Sequence, residues 1–282
     1  MKWIASRDNP FFKALAKLAD SARQRHKTAQ TLLDGTHLLA AYLDSGQVPQ
    51  HVVLNRAASC DAGVAALLDR IAQVPVTQLD DRLLAELSDL KTPTGILALI
   101  AIPQTARLPG HFALLLEDIQ DPGNLGSILR SAAAAGCDAV FLSPACADAW
   151  SPKVLRAAMG GHFALRIHEQ QDLPGVAQSF SGALFATSLQ AERSLYDCEL
   201  RGEIAFMVGN EGAGLSRALR ALATHSITIP MPGKVESLNA AAATAVCQPP
   251  PQHCQRQPSV RVCICSAKGS GGNQQTHAGP DQ

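Results

Sequence analysis

Three loops carry most of the side chains in this sequence that could bind a ligand or take part in a reaction. The first, DPGNLGSILRSAAAAG, spans residues 121–136, where Asn124 can cap a helix and Arg130 lies inside that helix. A guanidinium beside a strand-end loop could hold a phosphate or a hydroxyl through two parallel hydrogen bonds. The alternative is that Pro, Gly and Asn only begin a helix and that Arg130 is exposed to solvent on it. The motif alone favours this alternative.

The second loop, VGNEGAGLS, follows the apolar run IAFMV and contains Gly209, Gly212 and Gly214. Glycines at this density let backbone amides approach a ligand closely, as in dinucleotide sites. The spacing is GxxGxG rather than GxGxxG, and no GK[ST] sequence indicates a phosphate-binding loop. Glu211 would repel a pyrophosphate, so the loop favours a neutral or cationic ligand such as a sulfonium.

The third loop, IPMPGKVESLNAAAATAV, places Pro230 and Pro232 between a strand and an alanine-rich helix. Prolines stiffen an extended backbone, whose free amide and carbonyl groups could bind an adenine edge. Ser237 and Asn239 could cap the helix that follows. Three such loops at three strand ends indicate a common site more strongly than any one of them.

Short apolar runs alternate with helical patterns from residue 112 onward. This alternation predicts a parallel sheet with helices on both faces. In such sheets, ligands bind beyond the carboxyl ends of the strands. Residues 1–104 read as a smaller α/β unit, with helical spacing over 10–26 and again over TLLDGTHLLAAYLDSG, and a strand at HVVLN. The segment PQTARLPG, residues 103–110, is predicted to be a linker between the two units.

The totals indicate neither a strongly basic nucleic-acid binder, because the 282 residues have zero net charge, nor an aromatic stacking platform, because only 4% of them are aromatic. Residues 1–30 nevertheless have five more basic than acidic side chains, which could form a phosphate-facing arm or a solvated helix face. The basic residues of this segment are Lys2, Arg7, Lys13, Lys17, Arg23, Arg25 and Lys27.

Targeting and cysteine patterns favour a cytoplasmic protein with reduced thiols and no membrane contact. The first residues lack the apolar core of a signal peptide, and no apolar run approaches the roughly 18 residues of a membrane span. The cysteines show no CxxC spacing, and Cys263 and Cys265 match no common zinc pattern, so no metal site is expected.

The three motifs, in this order, resemble those of the SpoU (TrmH-like) RNA 2′-O-methyltransferases of the SPOUT superfamily. The segment from SRDNPFFKALAKLADSARQRHKTAQTLLDGTHLL through LKTPTGILAL is similar to the small substrate-binding domain of many members, which is related to RNA-binding ribosomal proteins. The resemblance covers residues 1–246. It implies an α/β chain with an N-terminal RNA-binding domain at 1–104 and a parallel-sheet SPOUT domain with a trefoil knot at 111–246.

The same resemblance implies S-adenosyl-L-methionine as the methyl donor and a homodimer whose subunits share the active site. By motif position, the implied catalytic residues are Asn124, Arg130, Glu211, Ser237 and Asn239. The implied cofactor-binding residues are Gly209, Ile229, Leu238, Met231 and Thr187.

The implied reaction is attack of a ribose 2′-hydroxyl on the sulfonium methyl, with RNA as substrate because DNA lacks that hydroxyl. Some schemes for the family make the arginine at position 130 the general base. A free guanidinium has a pKa above about 12, so a phosphate-orienting or oxyanion-stabilising role is physically easier. Ribosomal RNA is the expected substrate because the front domain is of a ribosomal-RNA-docking type, and transfer RNA is the alternative.

The C-terminal end departs from the family pattern. Three consecutive prolines follow NAAAATAVCQ, where family members continue an amphipathic helix that closes the knot and contributes to the dimer. The composition of residues 247–282 predicts a disordered tail, and its abrupt onset favours a reading-frame shift near codon 247 over an authentic tail. An inactive RNA-binding homologue with an incomplete knot is therefore the second functional hypothesis.

Overall fold

A computed structural model describes residues 2–90, 92–104, 111–231, 233 and 237–247. Most of the predicted linker at 103–110 and the predicted tail, apart from Cys247, lie outside these residues. Within the described ranges, no helix combines the length and apolar character needed to cross a membrane.

The N-terminal part forms a mixed five-stranded sheet with helices on both faces. Its strands, in the spatial order β1-β4-β3-β5-β2, are parallel except where β5 meets β3 and β2. The strands are β1 Lys2–Ile4, β2 Gln30–Asp34, β3 His51–Leu54, β4 Val76–Leu79 and β5 Ile96–Ala101. The helices are α1 Pro10–Asp20, α2 Ala22–Thr28, α3 Thr36–Asp44, α4 Ala62–Asp69 and α5 Asp81–Leu87.

Two helix predictions in this part were wrong in detail. The pattern over 10–26 is two helices, because Ser21 is extended and its hydroxyl caps α2 by accepting from the Gln24 amide at 3.3 Å. The pattern that begins at Thr31 starts with strand β2, which pairs with β5 and is buried on both faces. Gly35, with φ of 104°, ends the strand and lets α3 begin.

The C-terminal part confirms the predicted parallel sheet. Seven strands lie in the order β10-β12-β9-β11-β6-β7-β8, and every neighbouring pair is parallel. The strands are β6 Phe112–Leu116, β7 Ala139–Leu142, β8 Arg166–His168, β9 Ala183–Thr187, β10 Arg193–Ser194, β11 Ile204–Val208 and β12 His225–Thr228. The helices are α6 Pro122–Ala134, α7 Pro152–Ala158, α8 Leu173–Ser179, α9 Arg217–Leu222 and α10 Ala240–Cys247.

Both faces of the large sheet are covered by apolar side chains from these helices. On one face, Leu114 of β6 belongs to the same buried cluster as Ile128 of α6 and Ala240 of α10. On the other face, Leu115 packs in a cluster with Leu219 of α9. Because alternate residues of β6 enter opposite clusters, the strand reads as a continuous apolar run. The loops that follow β6, β11 and β12 lie at one edge of this sheet.

The two sheets are joined by a buried ion pair that changes the role expected for Arg25. Its guanidinium Nη2 lies 2.6 Å from Asp148 Oδ2, and the residue is 4% exposed. Nearby, the Thr31 hydroxyl donates to the Trp150 carbonyl at 2.7 Å. Arg25 was therefore wrongly included among phosphate-facing residues, since it is buried and the Asp148 carboxylate already neutralises it.

Glu169 lies beside this ion pair and carries a raised pKa. Burial, and then the charge of Asp148, raise the pKa of Glu169 from 4.5 to about 7, although its Oε1 accepts from the Ala149 amide at 2.8 Å. The folded chain therefore binds more protons than the unfolded chain between these two values. Stability falls as pH rises through this window, because the buried group must lose its proton.

The Glu169→Gln variant is expected to unfold at a higher temperature than the unsubstituted chain at pH 8.5, by about 2 °C or more. The amide still accepts from Ala149 but carries no charge to desolvate. At pH 4.5 the two should unfold at nearly the same temperature. Differential scanning calorimetry tests this, with exposed Glu192→Gln as the matched control. An equal difference at both pH values would contradict the assignment.

Candidate active site

The loop after β6 begins helix α6 and directs Asn124 toward the other two motifs. Asp121, not Asn124, is the helix cap: its Oδ1 accepts from the Asn124 amide at 2.7 Å, with Pro122 in the first turn. The predicted capping role of Asn124 was therefore wrong. Because Asp121 satisfies the helix end, the Asn124 side chain is available for longer-range contacts.

The loop after β11 is held in shape by Asn210, which the sequence did not single out. Its Oδ1 accepts from the amides of Gly212 and Ala213 at 2.8 and 3.3 Å, and its Nδ2 donates to the Asp118 carbonyl at 2.9 Å. A side chain at Gly209 is sterically excluded, since a Cβ there would lie 2.2 Å from the Gly214 carbonyl carbon. Asn210 ties the glycine-rich loop to the end of β6 and so positions Glu211.

Glu211, Asn124 and Asn239 form one hydrogen-bonded network. Glu211 Oε1 accepts from Asn124 Nδ2 at 2.6 Å, from Asn239 Nδ2 at 2.9 Å and from the Ala240 amide at 3.2 Å. Asn239 Nδ2 also donates to Asn124 Oδ1 at 2.8 Å. No described residue donates a hydrogen bond to Glu211 Oε2. The structure thus connects three separate loops through one carboxylate oxygen and, among the described residues, leaves the second oxygen without a donor.

Asn239 is placed for this network by its second role as a helix cap. Its Oδ1 accepts from the amides of Ala241 and Ala242 at 2.9 and 3.4 Å, at the start of α10. The amide group is thereby oriented, with its oxygen toward the helix and its nitrogen toward Glu211. The capping prediction for Asn239 is confirmed.

A cavity of about 260 Å³ lies against these loops at the carboxyl edge of the sheet. Its lining contains every residue for which a cofactor contact was expected, together with Glu211 and Ser237. The residues concerned are Thr187, Gly209, Glu211, Ile229, Met231, Ser237 and Leu238. The loops that follow β9, β11 and β12 supply most of this lining. The sequence reasoning had not included Ser188, Gln190 or Arg220, which also line it.

Arg130 is separated from this group. It is exposed on α6 and is absent from the described lining of the cavity. Six helical residues after Asn124, it points roughly 120° away from that side chain around the helix axis. Its Cα lies against Gly161, where an added Cβ would approach it to 3.1 Å. Within one chain, the structure does not bring Arg130 to the network.

One further group of side chains has spacing compatible with metal ligation. The ligand atoms of His26, Asp148 and Glu169 lie within 4.8 Å of one another. Arg25 already pairs with Asp148 there. These residues come from separate segments of the chain, so sequence spacing could not have indicated the group.

Comparisons with known proteins agree with this geometry. Residues 111–248 match the model of the SpoU rRNA Methylase family, and residues 9–98 match the MRM3-like substrate binding domain. The chain belongs to the SpoU rRNA methylase family.

Two curated relatives cover nearly the whole chain. An uncharacterized tRNA/rRNA methyltransferase of Synechocystis, slr1673, is 36% identical over 251 residues, which are 86% of this chain and 90% of the relative. The Bacillus subtilis 23S rRNA (guanosine(2553)-2′-O)-methyltransferase RlmP is 30% identical over 249 residues, which are 87% of this chain and 97% of the relative.

Solved structures show the same architecture. An RNA 2′-O ribose methyltransferase superposes with a TM-score of 0.73 at 28% identity, covering 87% of this chain and 96% of that one. The SpoU methyltransferase AviRb of Streptomyces viridochromogenes, in complex with AdoMet, superposes with a TM-score of 0.76 at 25% identity. The superposition covers 85% of this chain and 96% of AviRb.

Proposed function

We propose that this chain transfers a methyl group from S-adenosyl-L-methionine to a ribose 2′-hydroxyl of ribosomal RNA. The observation that carries the proposal is the network of Asn124, Glu211 and Asn239, which joins three loops beside one cavity. Two relatives add support, since RlmP is named for 2′-O-methylation of 23S rRNA and AviRb is solved with AdoMet.

The cavity fits such a cofactor on the chemistry of its lining. The close packing of Gly209 against Gly214 exposes bare backbone to a ligand. Ile229 and Leu238 add apolar surface and backbone groups suited to an adenine ring. When bound, S-adenosyl-L-methionine supplies an electrophilic methyl on a positively charged sulfur. The Glu211 carboxylate favours that charge and disfavours a phosphate-bearing ligand.

The residues of this chain would prepare the reaction by fixing positions. Asn124 and Asn239 hold the Glu211 carboxylate in one orientation, which reduces the rearrangement needed when the substrate arrives. The open Oε2 can accept a hydrogen bond from the ribose 2′-hydroxyl and so aim its oxygen at the methyl carbon. In-line attack then requires the reacting atoms to be held roughly 3 Å apart. Ser237 supplies a second hydroxyl in the lining.

Arg130 would enter the site from a second subunit. We propose a homodimer because the exposed Arg130 side chain cannot serve the network of its own chain, whereas a partner's α6 could present it there. Its fork of donors suits a phosphate of the bound RNA or the developing oxyanion. A C-terminal trefoil knot and a cytoplasmic site of action complete the proposal, as the family resemblance implies. The domain boundaries proposed are 1–104 and 111–246.

The N-terminal part would bind structured RNA through the exposed basic side chains of α1 and α2. Lys13 pairs with Asp8 at 2.8 Å and Arg7 pairs with Glu86 at 2.5 Å, so these two are partly neutralised. Lys17, Arg23 and Lys27 are exposed and remain for phosphate contacts. Of the basic residues predicted for this arm, these three side chains are the ones that we propose for RNA binding.

The triple variant Lys17→Ala, Arg23→Ala and Lys27→Ala is expected to bind ribosomal RNA about tenfold more weakly at low salt. Each lost phosphate contact also removes released counterions, so the dependence of log K on log salt becomes shallower. Filter binding across a salt series measures both effects. The control is Arg70→Ala, which removes an exposed basic side chain that is paired with Asp44. Unchanged affinity and an unchanged slope would show that these side chains of α1 and α2 are merely solvated.

The substrate class is tested in cells that lack the gene. Mapping ribose methylation across ribosomal and transfer RNA is expected to reveal one missing 2′-O-methyl group in ribosomal RNA. Its return on complementation with the unsubstituted gene would assign the modification to this chain. A missing methyl in transfer RNA instead would overturn the choice of substrate but leave the reaction intact.

A further inference from the structure

The cavity has one acidic and one basic side chain among the described residues that line it, Glu211 and Arg220. Glu211 is part of the network already described. Arg220 lies on the short helix α9, whose position is fixed by buried Leu219 and by the Ser216 hydroxyl, which accepts from the Leu219 amide at 3.3 Å. Helix α9 therefore presents a cation at the cavity wall.

The guanidinium of Arg220 has no ion pair or side-chain hydrogen bond with any described residue. Two arginines on strands of the large sheet donate to backbone carbonyls instead, Arg166 to Asp138 and Arg193 to Asp197. An unpaired cation on the wall of a ligand cavity attracts an anionic group of the ligand, and a guanidinium matches a carboxylate with two parallel hydrogen bonds.

S-adenosyl-L-methionine carries one such anionic group, the carboxylate of its methionine moiety. We infer that Arg220 is a cofactor-binding residue that holds this carboxylate, whereas Glu211 faces the cationic part of the same ligand. This inference rests on the proposed function, since it assigns the cavity to that cofactor. It accounts for a basic residue in a cavity whose remaining described lining is apolar, hydroxyl or amide in character.

The test uses two ligands that differ in the amino-acid end that carries the carboxylate. S-adenosylhomocysteine has this end, with its carboxylate and its α-ammonium group, whereas 5′-methylthioadenosine has the same nucleoside and a thioether but neither group; loss of a cation is expected to weaken binding only through the carboxylate. Arg220→Ala is expected to weaken S-adenosylhomocysteine binding about fivefold to tenfold in calorimetric titrations, a modest value because the side chain is exposed. Binding of 5′-methylthioadenosine should not change, and this second titration also verifies that the cavity remains folded.

Arg217→Ala is the matched control, because Arg217 is exposed on the same helix and does not line the cavity. It should bind both ligands as the unsubstituted chain does, and Arg220→Lys should restore part of the lost affinity. An equal loss for both ligands, or no loss, would overturn the inference. If the unsubstituted chain bound neither ligand, the proposed function would fail as well, so the two failures are distinguishable.

Discussion

The Glu211→Gln variant is expected to methylate RNA about 10²–10³-fold more slowly than the unsubstituted chain under single-turnover conditions. The glutamine oxygen can still accept from Asn124, Asn239 and the Ala240 amide, so the loops should stay in place. What is lost is the negative charge of the carboxylate, which in the proposed complex would face the sulfonium and the attacking hydroxyl. Rapid-quench measurement with labelled cofactor gives the rate of the chemical step.

Two controls separate a lost charge from a damaged site. S-adenosylhomocysteine has no sulfonium charge, so its dissociation constant should change less than about threefold in Glu211→Gln. Glu199→Gln, an exposed carboxylate outside the described lining of the cavity, should methylate at the unsubstituted rate. A Glu211→Gln variant with full activity would remove this carboxylate from the mechanism. A large loss of S-adenosylhomocysteine affinity would assign it a structural role.

Arg130→Ala is expected to lower the rate of methyl transfer about 10²-fold or more, although the residue is outside the cavity of its own chain. Arg130→Lys should recover only part of the loss, because an ammonium supplies the charge without the fork geometry. Methylation by Arg130→Lys at the unsubstituted rate would show that two-point positioning is not required.

Mixing the two inactive variants tests whether Arg130 acts across a dimer. In a mixed dimer of Arg130→Ala with Glu211→Gln, one site receives both intact residues and the other receives neither. After random exchange of subunits, half of the dimers are mixed, so about a quarter of the unsubstituted activity should return. Each variant mixed with itself is the control. No recovery, once mixed dimers are shown to form, would contradict a shared site.

The sequence predicted the large sheet well because its strands are buried on both faces. Such strands read as continuous apolar runs, and the loops that follow them contain glycine, proline and asparagine, so the edge that carries the site could be located. β2 was mistaken for helix because its three buried residues run directly into the helical pattern of α3. Only its pairing with β5, more than sixty residues away, decides its conformation.

Single side chains were harder to predict than elements, because their partners are distant in the chain. Asn124 follows a proline and a glycine as a cap does, yet Asp121 takes the cap and frees Asn124 for Glu211. Arg25 belongs to a basic segment, yet it is buried against Asp148, which lies 123 residues away. The positioning role of Asn210 could have been suspected from its place between glycines, since asparagine often stabilises tight loops through its side chain.

The most direct measurement of the central claim is transfer of labelled methyl from S-adenosyl-L-methionine to ribosomal RNA purified from cells that lack the gene. The label is expected at a single nucleotide and on its ribose, where it makes the adjoining phosphodiester resistant to alkali because the 2′-hydroxyl is blocked. The Glu211→Gln variant should give almost no label in the same time. Label on a base, or no label with the unsubstituted chain, would contradict the account.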